Sequence, residues 1–179
     1  PDPSITFYEP LFRSGEVTKQ ELDAHRVEWL ERERRRASEG RSARDPWTAW
    51  ATVYGGFAET RDEATEALAQ APRDEGSVGN HRGLFVDFAL GKAYALAGRW
   101  DSAIPPLKRV VATCNTFESL LVIQRARLFL AQAQEAKGDT PAARAGYQKI
   151  LDTWPKTTGS RTAKKAAEKL AALPAVPKD

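Results

Sequence analysis

Cysteine, histidine and methionine are scarce in this sequence: it has one cysteine, two histidines and no methionine. The single cysteine, Cys114, excludes an internal disulfide bond and any cysteine-based metal site. With only His25 and His81 beside it, the chain has too few ligands for a zinc site. We therefore expect no metal and no small-molecule cofactor. We expect both histidines to be solvated and Cys114 to be a small buried apolar residue, with a reactive thiol as the alternative.

Long apolar runs and a strong net charge are also lacking. No run approaches the roughly 18 apolar residues that a membrane-spanning helix needs, and no signal peptide is visible, so we expect no membrane insertion by this chain. The net charge is only +3, which does not demand a nucleic-acid partner. The start at Pro1 without methionine predicts a fragment of a longer polypeptide. A cytoplasmic location is favoured, with membrane attachment through missing parts as the alternative.

Catalytic constellations are missing as well. No Ser-His-Asp set, paired-carboxylate arrangement or phosphate-binding glycine loop can be assembled from these residues. The hydrophobic fraction of 41% is nevertheless typical of a folded domain. The chain is therefore expected to fold without being an enzyme.

The N-terminal region, residues 1–44, is predicted to be an irregular segment up to residue 17 followed by a charged helix over 18–38. Phe7, Tyr8 and Phe12 are its aromatic anchors, and Thr18 with Glu21 has the form of a capping box. The helix contains the run ERERRR at residues 31–36, which could contact phosphates. The interleaved glutamates favour a solvated helix instead, so a nucleic-acid contact is the less favoured alternative.

Residues 45–78 are predicted to form a degenerate helix pair. Asp45 can cap its first helix, with Pro46 at the first position. Trp47 and Trp50 are expected in its core, with an aromatic ligand shelf as the alternative. The second helix, about 60–71, is anchored by three apolar residues: Ala64, Leu68 and Ala71.

Two later segments align with a constant offset of forty residues. The first copy, assigned to 83–117, contains Leu90, Gly91, Tyr94, Gly98, Trp100, Ala103, Leu107 and Val110. The second copy, assigned to 119–156, contains Leu130, Ala131, Gln134, Gly138, Thr140, Ala143, Tyr147, Ile150 and Pro155. Such self-similarity predicts two copies of one antiparallel helix pair.

The shared positions have simple physical roles. Gly98 and Gly138 suit the left-handed turn between two helices. The small residues Gly91 and Ala131 suit the closest helix approach. The second helices are expected to be capped by Asp101 and Thr140, which puts Pro105 and Pro106 near the fourth and fifth helical positions, where they cost little.

The last segment, 157–174, is predicted to be a capping helix that begins near Thr158 or Ser160, with an apolar face of alanines and leucines and a lysine-rich outer face. An outer face of this kind keeps the end of a helical array soluble. Residues 175–179 are expected to be a disordered tail.

These residues resemble the tetratricopeptide (TPR) signature of leucine-glycine, tyrosine, glycine, aromatic, alanine, aromatic, small residue and proline. Asp87 departs from it, since a large apolar residue often stands there, and Gln134 replaces the first tyrosine of the second copy. The resemblance implies an all-α, right-handed superhelical solenoid of antiparallel helix pairs. It also implies a concave groove that binds a protein or peptide.

A narrower resemblance covers the stretch from GLFVDFALGKAYALAGRWDSAIPPLKRVVATCN through RARLFLAQAQEAKGDTPAARAGYQKILDTWPK. It is similar to the C-terminal TPR region of large bacterial serine/threonine protein kinases of the myxobacterial type. The kinase motifs themselves are not in this sequence. The resemblance implies a regulatory, sensing or partner-binding region of a kinase, with a free-standing adaptor as the alternative.

By repeat position, the TPR resemblance places a set of first-helix residues in the groove: Phe85, Phe88, Lys92, Ala95, Leu96, Arg125, Leu128, Gln132 and Glu135. For Phe85 and Phe88, burial in the core beneath the preceding loop is an equally favoured interpretation. Because Phe88 occupies a position of the family's carboxylate clamp, we do not expect recognition of a C-terminal carboxylate by that route.

Overall fold

The computed structural model describes residues 5–73, 83–113, 119–154 and 159–174. Every regular element in these ranges is a helix, in agreement with the all-α prediction. The α-helices are α1 Ile5–Ser14, α2 Lys19–Ser38, α3 Pro46–Trp50, α4 Arg61–Ala69, α5 Leu84–Leu96, α6 Trp100–Val111, α7 Leu120–Ala136, α8 Thr140–Thr153 and α9 Arg161–Ala172. A π-helical turn, π1 Ala51–Gly55, continues α3.

The C-terminal half is a series of helices in which each packs against the next. The pairs α5–α6 and α7–α8 are joined by short turns and pack along their lengths, α9 packs on α8, and α5 also lies beside α7. The predicted close approach at Gly91 is confirmed, since a Cβ there would lie 2.6 Å from Leu107 Cγ. The second pair uses a glycine that the sequence analysis did not single out: a Cβ at Gly146 would lie 2.9 Å from that of Ala131.

The turns between paired helices contain the predicted glycines. Gly98 has φ +75° and Gly138 has φ +82°, values that strain any residue with a side chain. The predicted cap at Thr140 is wrong, because Asp139 is the N-cap and its carboxylate accepts the N–H of Ala142. The chain therefore re-enters a helix almost immediately after the glycine.

Helix α6 also begins earlier than predicted. Its N-cap is Arg99, and Asp101 is not a cap but lies in the first turn, where it pairs with Lys137 at 2.8 Å. Pro105 and Pro106 consequently occupy the sixth and seventh helical positions rather than the fourth and fifth. Each of them removes one intrahelical hydrogen bond from α6.

The N-terminal segment was predicted to be irregular up to residue 17, and this is wrong for α1, which is helical despite Pro10. The reason is burial: Tyr8 and Phe12, one turn apart, pack against the core cluster that contains Leu22 and Trp29. His25, expected to be solvated, is 35% exposed and also stacks on Tyr8 with ring centroids 3.5 Å apart.

The predicted starts of the next two helices are confirmed. Thr18 and Glu21 form the capping box of α2, and Asp45 accepts the N–H groups of Trp47 and Thr48 at the start of α3. The π-helical turn π1 was not predicted from the sequence. It accompanies a close contact, since a Cβ at Gly55 would lie 2.4 Å from Trp50 Cη2.

Trp50 is a core residue, as favoured over the ligand shelf. Its indole N–H donates to the carbonyl of Ala67 at 2.7 Å, which ties the end of α3 to α4. Trp47 packs edge-on against it, with ring centroids 5.8 Å apart. Ala64 is buried, and Leu68 and Ala71 pack on the same cluster.

Helix α9 ends the described chain as predicted. The side chain of Ser160 accepts the N–H of Ala163, and Ala163 and Ala166 are buried against α7 and α8. His81, Cys114, Pro155, Thr158 and residues 175–179 lie outside the described residues, so the expectations for them stay predictions.

Candidate functional site

The face formed by α5 and α7 contains most of the residues assigned to the groove. The two phenylalanines near the start of α5, whose burial could not be decided from the sequence, differ in exposure. Phe85 is 47% exposed, whereas Phe88 is only 5% exposed and packs in the cluster shared by α5, α6 and α7. Phe88 is therefore core, and its assignment to the groove surface is wrong.

Lys92 is also not on the surface. Its side chain is fully buried, and the ammonium donates to the carbonyl of Gly56 at 2.8 Å and to the carboxylate of Glu59 at 3.2 Å. Burial lowers the pKa of Lys92, and the charge of Glu59 partly opposes this shift. The lysine satisfies a carbonyl beyond the end of π1, so it attaches α5 to the preceding helix pair rather than presenting a charge to a partner.

Arg125 of α7 reaches the same carboxylate. Its guanidinium donates to Glu59 at 3.1 Å and lies over the ring of Phe88, 5.6 Å from the centroid. Its side chain remains 42% exposed, so it can still meet a partner. Glu59 was not singled out from the sequence, since an exposed glutamate before a helix carries no signal of this role.

An open depression of about 440 Å³ lies at the C-terminal end of this face. It is lined by Ala95, Leu96, Trp100, Phe129, Gln132, Glu135, Ala136 and Lys169. Four of the residues assigned to the groove therefore come together here, namely Ala95, Leu96, Gln132 and Glu135. Leu128 does not line it and packs instead against the cluster shared by α7, α8 and α9.

The other four lining residues were not assigned to the groove from the sequence: Trp100, Phe129, Ala136 and Lys169. Trp100 was assigned to the repeat signature, Phe129 follows an assigned groove position, and Lys169 was placed on the wet face of the capping helix. Only the packing of α9 against α7 brings Lys169 to the depression. A cation supplied by a separate segment gives no local sequence signal.

Glu135 is the charged centre of the depression. It accepts from the hydroxyl of Tyr147 at 2.6 Å and from the ammonium of Lys169 at 2.9 Å. Burial alone would raise the pKa of Glu135, but these two bonds outweigh it and lower the pKa. Burial and the bond to Glu135 raise the pKa of Tyr147. The carboxylate is thus held ionised and oriented, which suits a fixed hydrogen-bond acceptor for a bound chain.

Asp87, the departure from the repeat signature, is fully buried. Arg109 of α6 donates to it twice, with Nε at 3.1 Å and Nη2 at 2.8 Å. The ion pair replaces the apolar contact that the signature usually provides. It joins the two helices of one pair and does not face the depression.

None of the described helices is both long and apolar enough to cross a membrane. Within the same part of the chain, no group of three or more histidine, cysteine, aspartate or glutamate side chains is placed to hold a metal ion.

Comparison with known protein families gives one match. The family model described as a tetratricopeptide repeat matches residues 126–157, which fall on α7, α8 and the segment after them. No curated protein and no solved structure matches the chain. The family match supports a TPR protein, and repeats of this type are suited to protein–protein interaction because stacked helix pairs create extended binding surfaces.

Proposed function

We propose that the chain is a non-catalytic module that binds a protein or peptide along the α5–α7 face, as the concave side of a right-handed superhelical solenoid. The observation that carries the proposal is the depression of about 440 Å³ on this face, where aromatic walls surround a fixed carboxylate and an amide. Trp100 and Phe129 can hold an apolar side chain, while Gln132 can pair with the backbone of an extended chain.

The exposed apolar residues extend the proposed surface toward the start of the two helices. Phe85 of α5 is 47% exposed and Leu121 of α7 is 71% exposed. Phe88 and Arg125, one helical turn further along α5 and α7, touch each other across the face. A partner that covers both ends would remove apolar surface from water, which is the main source of favourable free energy in association.

The experiment places a photo-crosslinking amino acid at Gln132 in the depression and, as the matched control, at Gln148. Gln148 is exposed on α8, which contributes nothing to the lining of the depression. We expect a defined partner to crosslink to position 132 and not to 148, and Phe85→Ala to weaken its capture. Equal crosslinking at both positions would refute the proposed face. Phe88→Ala is unsuitable, because Phe88 belongs to the core.

We further infer that the module is the regulatory or sensor region of a larger bacterial serine/threonine protein kinase. This inference rests on the sequence resemblance alone. Blotting fractionated cells with an antibody to this segment distinguishes a kinase region from a free-standing TPR adaptor. A band several times larger than 19.8 kDa supports the kinase. A soluble band near 19.8 kDa supports the adaptor.

The less favoured nucleic-acid contact would use the arginine-rich part of α2. Binding of this kind depends strongly on salt, since it releases counterions from phosphates. Partner capture that collapses between low and moderate salt would favour it over the α5–α7 face.

A further inference from the structure

A second cavity lies between α2 and the degenerate helix pair, away from the α5–α7 face. Its volume is about 370 Å³, within the range of small-molecule sites, about 300–1,000 Å³. Two small side chains, Ala37 of α2 and Ala49 of α3, are part of its lining. Aromatic and apolar side chains form its walls, among them Leu30, Trp50 and Tyr54. A helix of roughly 10 Å diameter needs more than this volume for two turns, so the cavity suits a small molecule rather than a partner helix.

Positive charge is concentrated beside this cavity. Residues 31–44 contain six arginines and three glutamates, so this segment alone accounts for the chain's net charge of +3. Two of these arginines, Arg34 and Arg44, line the cavity. Arg44 is occupied, since it pairs with Glu33 at 3.5 Å and lies over the ring of Trp29. Arg34 is exposed and forms no ion pair with any of the residues that the structure describes.

Among the described residues of the lining, Glu33 is the only carboxylate, and its charge is already neutralised. Glu33 accepts from Arg36 at 3.2 Å and from the backbone N–H of Arg44 at 2.9 Å, and its side chain is only 7% exposed. Among the described residues, no uncompensated negative charge lines the cavity where an incoming anion would meet the guanidinium of Arg34. Arginine is suited to this role, because its planar donors match a carboxylate in pairs.

We propose that this cavity binds a small amphiphilic anion, an aromatic or branched aliphatic carboxylate. Its apolar body fills the space between Ala37 and Trp50, and its carboxylate pairs with Arg34. The site is distinct from the α5–α7 face, so it can be present whether or not that face binds a protein. A molecule bound in the cavity would contact both α2 and the degenerate pair.

The test uses a fluorescent amphiphilic anion, 1-anilinonaphthalene-8-sulfonate, displaced by 3-phenylpropionate or by its uncharged analogue 3-phenylpropanamide. We expect one equivalent of the probe to bind the whole chain saturably. The amide should displace the probe at least about tenfold more weakly than the acid does. Arg34→Gln should weaken binding of the acid about tenfold and leave that of the amide unchanged. The matched control is Arg35→Gln, because Arg35 is the exposed neighbour and lines a different depression. It should change binding less than about twofold, as expected for a charge outside the cavity.

A cavity-filling change gives an independent check. Ala37→Trp should abolish binding of the probe while the circular dichroism spectrum and melting temperature stay as in the parent chain. Equal weakening by Arg34→Gln and Arg35→Gln would assign binding to the basic end of α2 as a whole and overturn the proposal. Displacement by acid and amide alike, or retained binding in Ala37→Trp, would overturn it too. Crosslinking at Gln132 reports separately on the α5–α7 face.

Discussion

The buried ion pair between Asp87 and Arg109 offers the sharpest test of how one repeat is held together. Replacing Arg109 with methionine keeps most of the apolar stem and removes both charge-assisted bonds to the carboxylate. Asp87 is fully buried, so its carboxylate then loses its guanidinium partner in a region of low polarity. Breaking such a pair typically costs about 3–5 kcal/mol, and the partial exposure of Arg109 lowers the expectation to about 2–3 kcal/mol.

The assay is thermal and urea unfolding followed by circular dichroism. For a chain of this size, a loss of about 2–3 kcal/mol corresponds to a fall in melting temperature of roughly 4–12 °C. The matched variant replaces both partners, as Asp87→Leu with Arg109→Met, and restores the apolar contact that the TPR signature usually has. It should lie within about 1 kcal/mol of the parent chain, because exchanging a buried pair for apolar residues is often neutral.

Two results would refute this reasoning. A loss below about 0.5 kcal/mol in Arg109→Met would show that the pair contributes no more than an exposed surface pair. A double variant as unstable as the single one would show that the carboxylate is needed for something other than Arg109.

The remaining predictions concern a turn, a cap and a titrating group. Gly138→Ala, at φ +82°, should lower stability by about 1 kcal/mol in urea unfolding, whereas Gly159→Ala, with open space around it, should be nearly neutral. Thr60→Ala removes the capping box of α4 and should lower stability by about 0.5–2 kcal/mol in the same assay; an unchanged midpoint would contradict the role of the cap. Burial would raise the pKa of Glu63, but its bonds to Arg13 and to backbone N–H groups lower it to about 2. Its stabilising effect is therefore present above about pH 4.5 and is lost as the pH falls toward 2, so Glu63→Gln should flatten the decline of stability with acid in this window.

The sequence predicted those features of the fold that depend on one or two local residues. Capping at Thr18 and Asp45 follows from side chains that bond the nearest free N–H groups, and the turns at Gly98 and Gly138 follow from a backbone conformation that other residues avoid. The close approach at Gly91 was predictable for a different local reason, since only a residue without a side chain fits between the two helices there.

Features that depend on packing between distant segments could not be predicted in this way. Helix α1 forms although Pro10 weakens it, because burial of Tyr8 and Phe12 outweighs the local cost. The turn π1 accompanies a close approach between the ring of Trp50 and the backbone of Gly55. Neither outcome is visible in the spacing of apolar residues.

The candidate site was predicted only in part, because repeat position carries only part of the information needed. Repeat position gives the direction of a side chain along its own helix, and it placed Leu96, Gln132 and Glu135 correctly beside one another. Repeat position does not show how deep a residue lies. Lys92 was therefore expected on the surface, although it is buried by its contact with a carbonyl of the preceding pair.

Glu59 has a consequence for how the molecule unfolds. In a linear array of helix pairs, each pair touches only its neighbours, so the ends can open independently of one another. Here a single carboxylate before α4 binds Lys92 of α5 and Arg125 of α7, and so spans three successive pairs. Opening of the α7–α8 pair therefore breaks an ion pair with a carboxylate of the degenerate pair. The amide hydrogens of the two ends should consequently exchange with solvent in a correlated way, and Glu59→Gln should uncouple them.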